Sequence, residues 1–155
     1  MGRLLIMHSI LYAEDEEDDV FFVTRAFKQA GIMNPLVVVP DGQAAIDYLA
    51  GSGQYSDRAK HPLPCLALLD INMPAKSGLE VLTWIRRELV ARALPVIVFS
   101  SSSQEKDIQL AYTRGTNGYL VKPGKPEDLV VMAKAIKDYW LNHNRALPES
   151  REQTG

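Results

Sequence analysis

Five residues with distinct chemistry stand at the ends of four short apolar runs. Ser9–Ala13 (SILYA) leads into Glu14 and Asp15, and Leu66–Leu69 (LALL) leads into Asp70. Pro95–Phe99 (PVIVF) leads into Ser100, and Gly118–Val121 (GYLV) leads into Lys122 and Pro123. If these runs are strands of one parallel sheet, their C-terminal ends converge on one edge, where ligands collect. Three carboxylates gathered there repel one another and require a cation. An oxygen-only donor set with room for water and phosphate oxygens suits Mg²⁺ better than a softer metal. His8, His61 and His143 fall in unrelated places and offer no zinc set. With Mg²⁺ as template, the chemistry that fits is in-line phosphoryl transfer onto Asp70, giving an acyl phosphate. The Lys122 ammonium is suited to hold a phosphoryl oxygen as a point charge, and Ser100 to donate a hydrogen bond to it.

Each of these residues also has a plainer reading. The carboxylates could be solvated groups at strand ends, and Lys122 could run its stem along the surface to water. Ser100 opens a run of four serines that includes Ser102, so its hydroxyl alone says little. Tyr119, three residues before Lys122, reads either as a half-buried core aromatic or as a movable reporter. The Lys122–Pro123 bond is a candidate cis peptide, although only ~5% of X–Pro bonds are cis in folded proteins.

The elements that must position these groups follow a regular rhythm. After SILYA come Val20, Phe21, Val23, Thr24 and Phe27 at helical spacing, closed by Gly31. Leu36–Val39 (LVVV) precedes Asp41-Gly42, which reads as a helix cap before the run from Ala44 to Leu49. A third helix carries Leu79, Val81, Leu82, Ile85 and Leu89, and a fourth carries Ile108, Leu110, Ala111 and Tyr112. Pro126 opens a fifth with Leu129, Met132, Ile136 and Trp140. Continuous apolar strands alternating with helices predict a parallel sheet covered on both faces. The expected fold is therefore α/β, a doubly wound five-stranded parallel sheet built from five βα units. One domain is expected over residues 9–143, with an N-terminal extension over 1–8 and a partly disordered tail over 144–155. The segment from Gly51 to Pro64, rich in Gly, Ser and Pro, is longer than the usual connection of about 2–6 residues.

Composition narrows the classes. The chain has 155 residues, is 46% hydrophobic and 23% charged, and carries a net charge of −2, which fits an ordinary globular protein. That charge, with no basic run, argues against nucleic acid as a partner. The lone Cys65 gives neither a disulfide nor a metal pair, and its apolar neighbours suggest a small packed side chain. The opening MGRLLIMHSILYA lacks a cleavage site and runs straight into the acids from Glu14 to Asp19, so it is not read as a secretion signal. Ile6 stands where myristoylation needs Ser or Thr. No apolar stretch approaches the ~18 residues of a membrane span, and a cytoplasmic location is expected.

Taken together, Glu14-Asp15, Asp70, Ser100, Tyr119 and Lys122, with Met73-Pro74, Gly78 and Gly118, resemble the receiver domain of two-component response regulators. The resemblance covers about residues 9–143 and implies the flavodoxin-like receiver fold. It implies that Asp70 is the phosphoacceptor, and that Glu14, Asp15, Asp70 and the Asn72 backbone carbonyl hold Mg²⁺. Ser100 is then the switch hydroxyl, Tyr119 the switch aromatic and Lys122 the phosphate-binding lysine. Asn72 and Ser102, two residues past the acceptor and the switch hydroxyl, are the positions that tune phosphate lifetime. Glu14 stands where many members carry Asp, Ser100 replaces the commoner Thr, and Gly124 replaces a bulkier residue. The acidic opening, the long loop before Asp70 and the ending DYWLNHNRALP are similar to stand-alone regulators paired with bacterial phytochromes, implying a phytochrome-type sensor histidine kinase as partner.

Two rivals compete with a non-enzymatic phosphorelay switch. A phosphatase of the haloacid dehalogenase type also uses an aspartyl nucleophile with Mg²⁺. It requires a second Asp where this chain has Asn72, and it places the nucleophile on its first strand. A receiver-like scaffold that binds partners without being phosphorylated would not need the complete set of site residues. Finally, Val130, Val131, Ala133, Tyr139, Trp140 and Leu141 give the last helix more apolar surface than one face can bury. Either Trp140 and Leu141 fold back over the fourth helix, or the chain forms a two-fold homodimer. The surface expected for that dimer is the fourth helix, fifth strand and fifth helix, or the C-terminal arm.

Overall fold

The computed structural model describes residues 8–88 and 91–145. Five strands, β1 (Ile10–Ala13), β2 (Leu36–Val39), β3 (Leu66–Leu69), β4 (Val96–Ser100) and β5 (Gly118–Val121), alternate with five helices. The helices are α1 (Glu17–Gln29), α2 (Gly42–Ala50), α3 (Gly78–Arg87), α4 (Glu105–Thr113) and α5 (Pro126–Ile136). All strand pairs are parallel, in the order β2-β1-β3-β4-β5. This is the doubly wound five-stranded fold expected from the alternation of apolar runs and helices, and the flavodoxin-like receiver fold that the resemblance implies. β1, β3 and β4 are buried along their whole length, as strands covered on both faces must be.

Two apolar layers sandwich the sheet. On one side Val23, Ala26 and Phe27 of α1 and Leu129, Ala133 and Ile136 of α5 pack on Ile10, Tyr12, Leu68 and Phe99. On the other, Ala45 and Leu49 of α2, Val81, Leu82 and Ile85 of α3, and Ala111 of α4 pack on Leu11, Leu69 and Val98. Capping follows the sequence: Asp41 accepts the Ala44 N–H at 2.7 Å and starts α2. Ser77 and Glu80 form a reciprocal capping box at α3, with bonds of 3.2 and 3.1 Å.

The long connection before β3 has a defined structure. It contains a short 3₁₀ turn, Gly53–Tyr55, and Arg58 closes the end of α2 through the carbonyls of Tyr48 and Leu49 at 2.7 and 2.6 Å. The Tyr48 hydroxyl donates to the Pro62 carbonyl at 2.8 Å, beside Tyr55 and His61.

Three inward-facing expectations fail. Phe21 is 58% exposed because α1 buries the row through Val23 and Phe27, and two residues separate positions by about 200° around a helix. Leu110 and Tyr112 face outward because α4 touches the core only through Ala111, which they flank. Trp140 and Leu141 do fold back, but onto the α1/α5 cluster and not over α4. They lie in a wider π-type turn, Lys137–His143, that continues α5. Leu89, most of the 1–8 extension and most of the 144–155 tail lie outside the described residues.

Candidate functional site

The sheet ladder itself carries the site residues to one edge. The Asp70 N–H bonds to the Ala13 carbonyl, Glu14 to Val39, and Lys122 to Ser100, at 3.2, 3.0 and 2.8 Å. The backbones of three strand-end residues are thus fixed by the last rungs of the sheet. Just beyond Asp70 the chain makes a tight loop in which Ala75 adopts a left-handed φ of 67°, a conformation that costs about 1–2 kcal/mol for a residue with a side chain. α3 then returns so closely that the Gly78 N–H bonds to the Ile71 carbonyl at 2.9 Å.

Glu14, Asp15 and Asp70 come together as expected, each offering one oxygen within 4.8 Å of the others. Glu14 and Asp70 are buried and Asp15 is exposed, so the cluster opens to solvent on one side. Lys122 enters from β5, its Nζ 2.5 Å from Glu14 Oε1 and 3.5 Å from Asp70 Oδ2. A third carboxylate, Asp19 of α1, lies 2.9 Å from the same ammonium. Three carboxylates therefore surround one cationic side chain.

The protonation balance follows from that geometry. Burial pushes the Asp70 carboxyl up to about 6; Lys122 opposes the rise, the Glu14 charge adds to it, and the Asn72 N–H favours the ionised form. Burial would pull the Lys122 ammonium down, but its bonds to Glu14 and Asp19 outweigh this and leave it raised. An all-oxygen carboxylate cluster, with the Asp70 carboxyl raised by burial, fits a hard divalent cation such as Mg²⁺.

Ser100 is fully buried, and its Oγ accepts the Ser102 N–H at 3.1 Å. Tyr119 is half-buried, and its hydroxyl donates to the Ser102 carbonyl at 2.8 Å. Ser102 in turn donates its own hydroxyl to Asp107 of α4 at 2.5 Å. Ser102 thus touches the strand-end hydroxyl, the aromatic and the next helix at once. Asn72 is exposed, and its backbone N–H bonds to the Asp70 carboxyl. The Lys122–Pro123 peptide is trans.

Sequence reasoning missed three contributors. Asp19 could have been noticed as an acid in the first turn of a helix that starts at the same edge. Tyr12, whose hydroxyl lies 3.3 Å from Glu14 Oε1, stands two positions before it, the same-face spacing of a strand, while Asp107, five positions after Ser102, gave no signal. Cys65 is half-buried, and burial raises its thiol, in keeping with a packing role.

The profile of the family described as "Response regulator receiver domain" matches residues 10–134. The chain belongs to that family. It is 37% identical over 137 residues to the probable methanogenesis regulatory protein FilR2 of Methanothrix harundinacea, covering 88% of this chain and 86% of that one. It is 36% identical over 132 residues to response regulator Rcp1 of Synechocystis, covering 85% and 88%. The Mn²⁺-bound structure of Rcp1 superposes with a TM-score of 0.81 at 33% identity, over 91% of this chain and 99% of that one. The phosphorylated cyanobacterial phytochrome response regulator RcpA superposes with a TM-score of 0.85 at 31% identity, over 92% and 100%. This membership displaces the haloacid dehalogenase reading. Among the described residues no helix is long and apolar enough to cross a membrane.

Proposed function

We propose that the chain is a phosphorelay switch that accepts a phosphoryl group from a histidine kinase onto Asp70. The observation that carries this reading is the Lys122 ammonium poised 3.5 Å from the carboxylate of Asp70, inside the Glu14–Asp15–Asp70 cluster. An Asp70 oxygen attacks phosphorus, the phosphorus–nitrogen bond of the phosphohistidine breaks, and the imidazole leaves with the electron pair and takes a proton from water. Mg²⁺ held by Glu14, Asp15, Asp70 and the Asn72 carbonyl supplies charge neutralisation and a template for in-line transfer. Lys122 and the Ser100 hydroxyl bind the phosphoryl oxygens of the product.

Ser100 turning toward the phosphoryl group surrenders the Ser102 N–H, and Ser102 is bonded to Tyr119 and Asp107. That chain of contacts carries the change from the acceptor to the α4-β5-α5 face. Asn72 and Ser102 set how easily water reaches the acyl phosphate. The name of RcpA, a cyanobacterial phytochrome response regulator, supports a phytochrome-type kinase as the donor. The output is a change in partner choice or in homodimerisation.

The test is incubation with Mg²⁺ and a small phosphodonor. Label that requires Mg²⁺ and disappears in Asp70→Asn supports the acceptor reading. No label on the intact chain would instead favour a scaffold that works without phosphorylation. Lys122→Ala is expected to take label but to lose the accompanying conformational change.

A further inference from the structure

Glu14 has two duties that conflict. Its Oε1 is the shortest partner of the Lys122 ammonium, yet the same carboxylate belongs to the cluster that fits a divalent cation. Both its oxygens are already engaged, because Tyr12 donates to Oε1 at 3.3 Å and the Glu16 N–H donates to Oε2 at 3.2 Å. A cation that draws on Glu14 must therefore compete with Lys122 for it. The ammonium must then have somewhere else to rest.

Asp19 provides that resting place. Its Oδ2 lies 2.9 Å from Lys122 Nζ, it is outside the Glu14–Asp15–Asp70 group, and it stands in the first turn of α1. On its other flank the ammonium borders a cavity of about 430 Å³ lined by Asp19, Phe22, Phe99, Pro123 and Pro126, which gives an unanchored lysine room to swing. We infer that Asp19 is a positioning residue that keeps the Lys122 ammonium beside Asp70 while Glu14 turns to the cation. This deepens the phosphoacceptor reading above and rests on it. Without Asp19, the remaining partners of Lys122 are Glu14 and Asp70, both members of the cluster that fits the cation, and the ammonium competes harder against it.

The test is a titration with Mn²⁺, following the free ion by its electron paramagnetic resonance, in the full chain and in Asp19→Asn, Asp19→Glu, Lys122→Met and Asp19→Asn/Lys122→Met. Asp19→Asn should weaken Mn²⁺ binding about two- to five-fold, the scale of one partly exposed charge contact. Asp19→Glu should recover most of that loss. In the Lys122→Met background Asp19→Asn should have no further effect, which is the signature of action through the lysine. A loss of equal size with and without Lys122 would overturn the inference, because Asp19 would then act only through its own field. Lys122→Gln serves in place of Lys122→Met if the latter does not fold. A chain that labels at Asp70 while Asp19→Asn binds Mn²⁺ unchanged overturns this inference alone; a chain that never labels overturns the phosphoacceptor reading.

Discussion

The carbonyl oxygen of Asp70 lies 2.0 Å from where a Cβ on Gly78 would stand, so α3 closes directly onto the backbone of the acceptor. The contact is backbone against backbone, and no flexible side chain can yield. Gly78→Ala must push α3 and the end of β3 apart, at a cost of roughly 2–4 kcal/mol measured by denaturant unfolding. Because the displaced atom belongs to Asp70, labelling should fall together with stability. A variant as stable as the parent would show that the loop adapts freely.

Asp70 is also a stability liability at neutral pH. Its carboxyl sits at about 6 in the folded protein against an ordinary 3.8. The folded state therefore binds more protons than the unfolded one between those values, and stability falls as pH rises through that window. In EDTA, Asp70→Asn should be more stable than the parent by roughly 1–3 kcal/mol at about pH 7.5, converging with it near pH 4. A parent that gains stability relative to the variant as pH rises would contradict this sign.

Ser102 holds Asp107, Ser100 and Tyr119 in one network. Ser102→Ala removes the bond to α4 and costs about 0.5–1.5 kcal/mol, while the backbone contacts remain. Its larger effect should fall on the rate of phosphate loss, with the rate of phosphate uptake nearly unchanged. Equal changes in both rates, followed by phosphate release, would count against a lifetime role.

Assembly should depend on Val131 and Tyr139, which are 66% and 53% exposed, more than on Trp140, which is packed against its own chain. If the α4-β5-α5 face and the arm after it form a homodimer, Val131→Asp or Tyr139→Ser should shift the protein toward monomer in sedimentation. A parent chain that sediments as monomer, phosphorylated or not, removes the dimer from the account.

Much of the site was legible because it lies at strand ends. A buried parallel strand is a continuous apolar run, so the first polar residue after it marks the sheet edge, and β2, β3 and β5 begin and end where their runs do. The helices were less legible. Phe21, Leu110 and Tyr112 are apolar residues that the 3.6-residue period alone cannot assign to core or solvent, since the decision depends on which neighbour covers each helix. Asp19 escaped because its partner is tertiary: Lys122 is 103 positions from it, a separation no local pattern spans.

On the proposed function, Asp70 itself becomes the acyl phosphate. Treatment with Mg²⁺ and a small phosphodonor, reduction with borohydride and peptide mass spectrometry would read the modified position directly, because borohydride converts an aspartyl phosphate to homoserine. The expected result is homoserine at position 70 alone, and none when Mg²⁺ is withheld. Homoserine at position 15 or 19, or a chain that carries phosphate with position 70 unmodified, would contradict it.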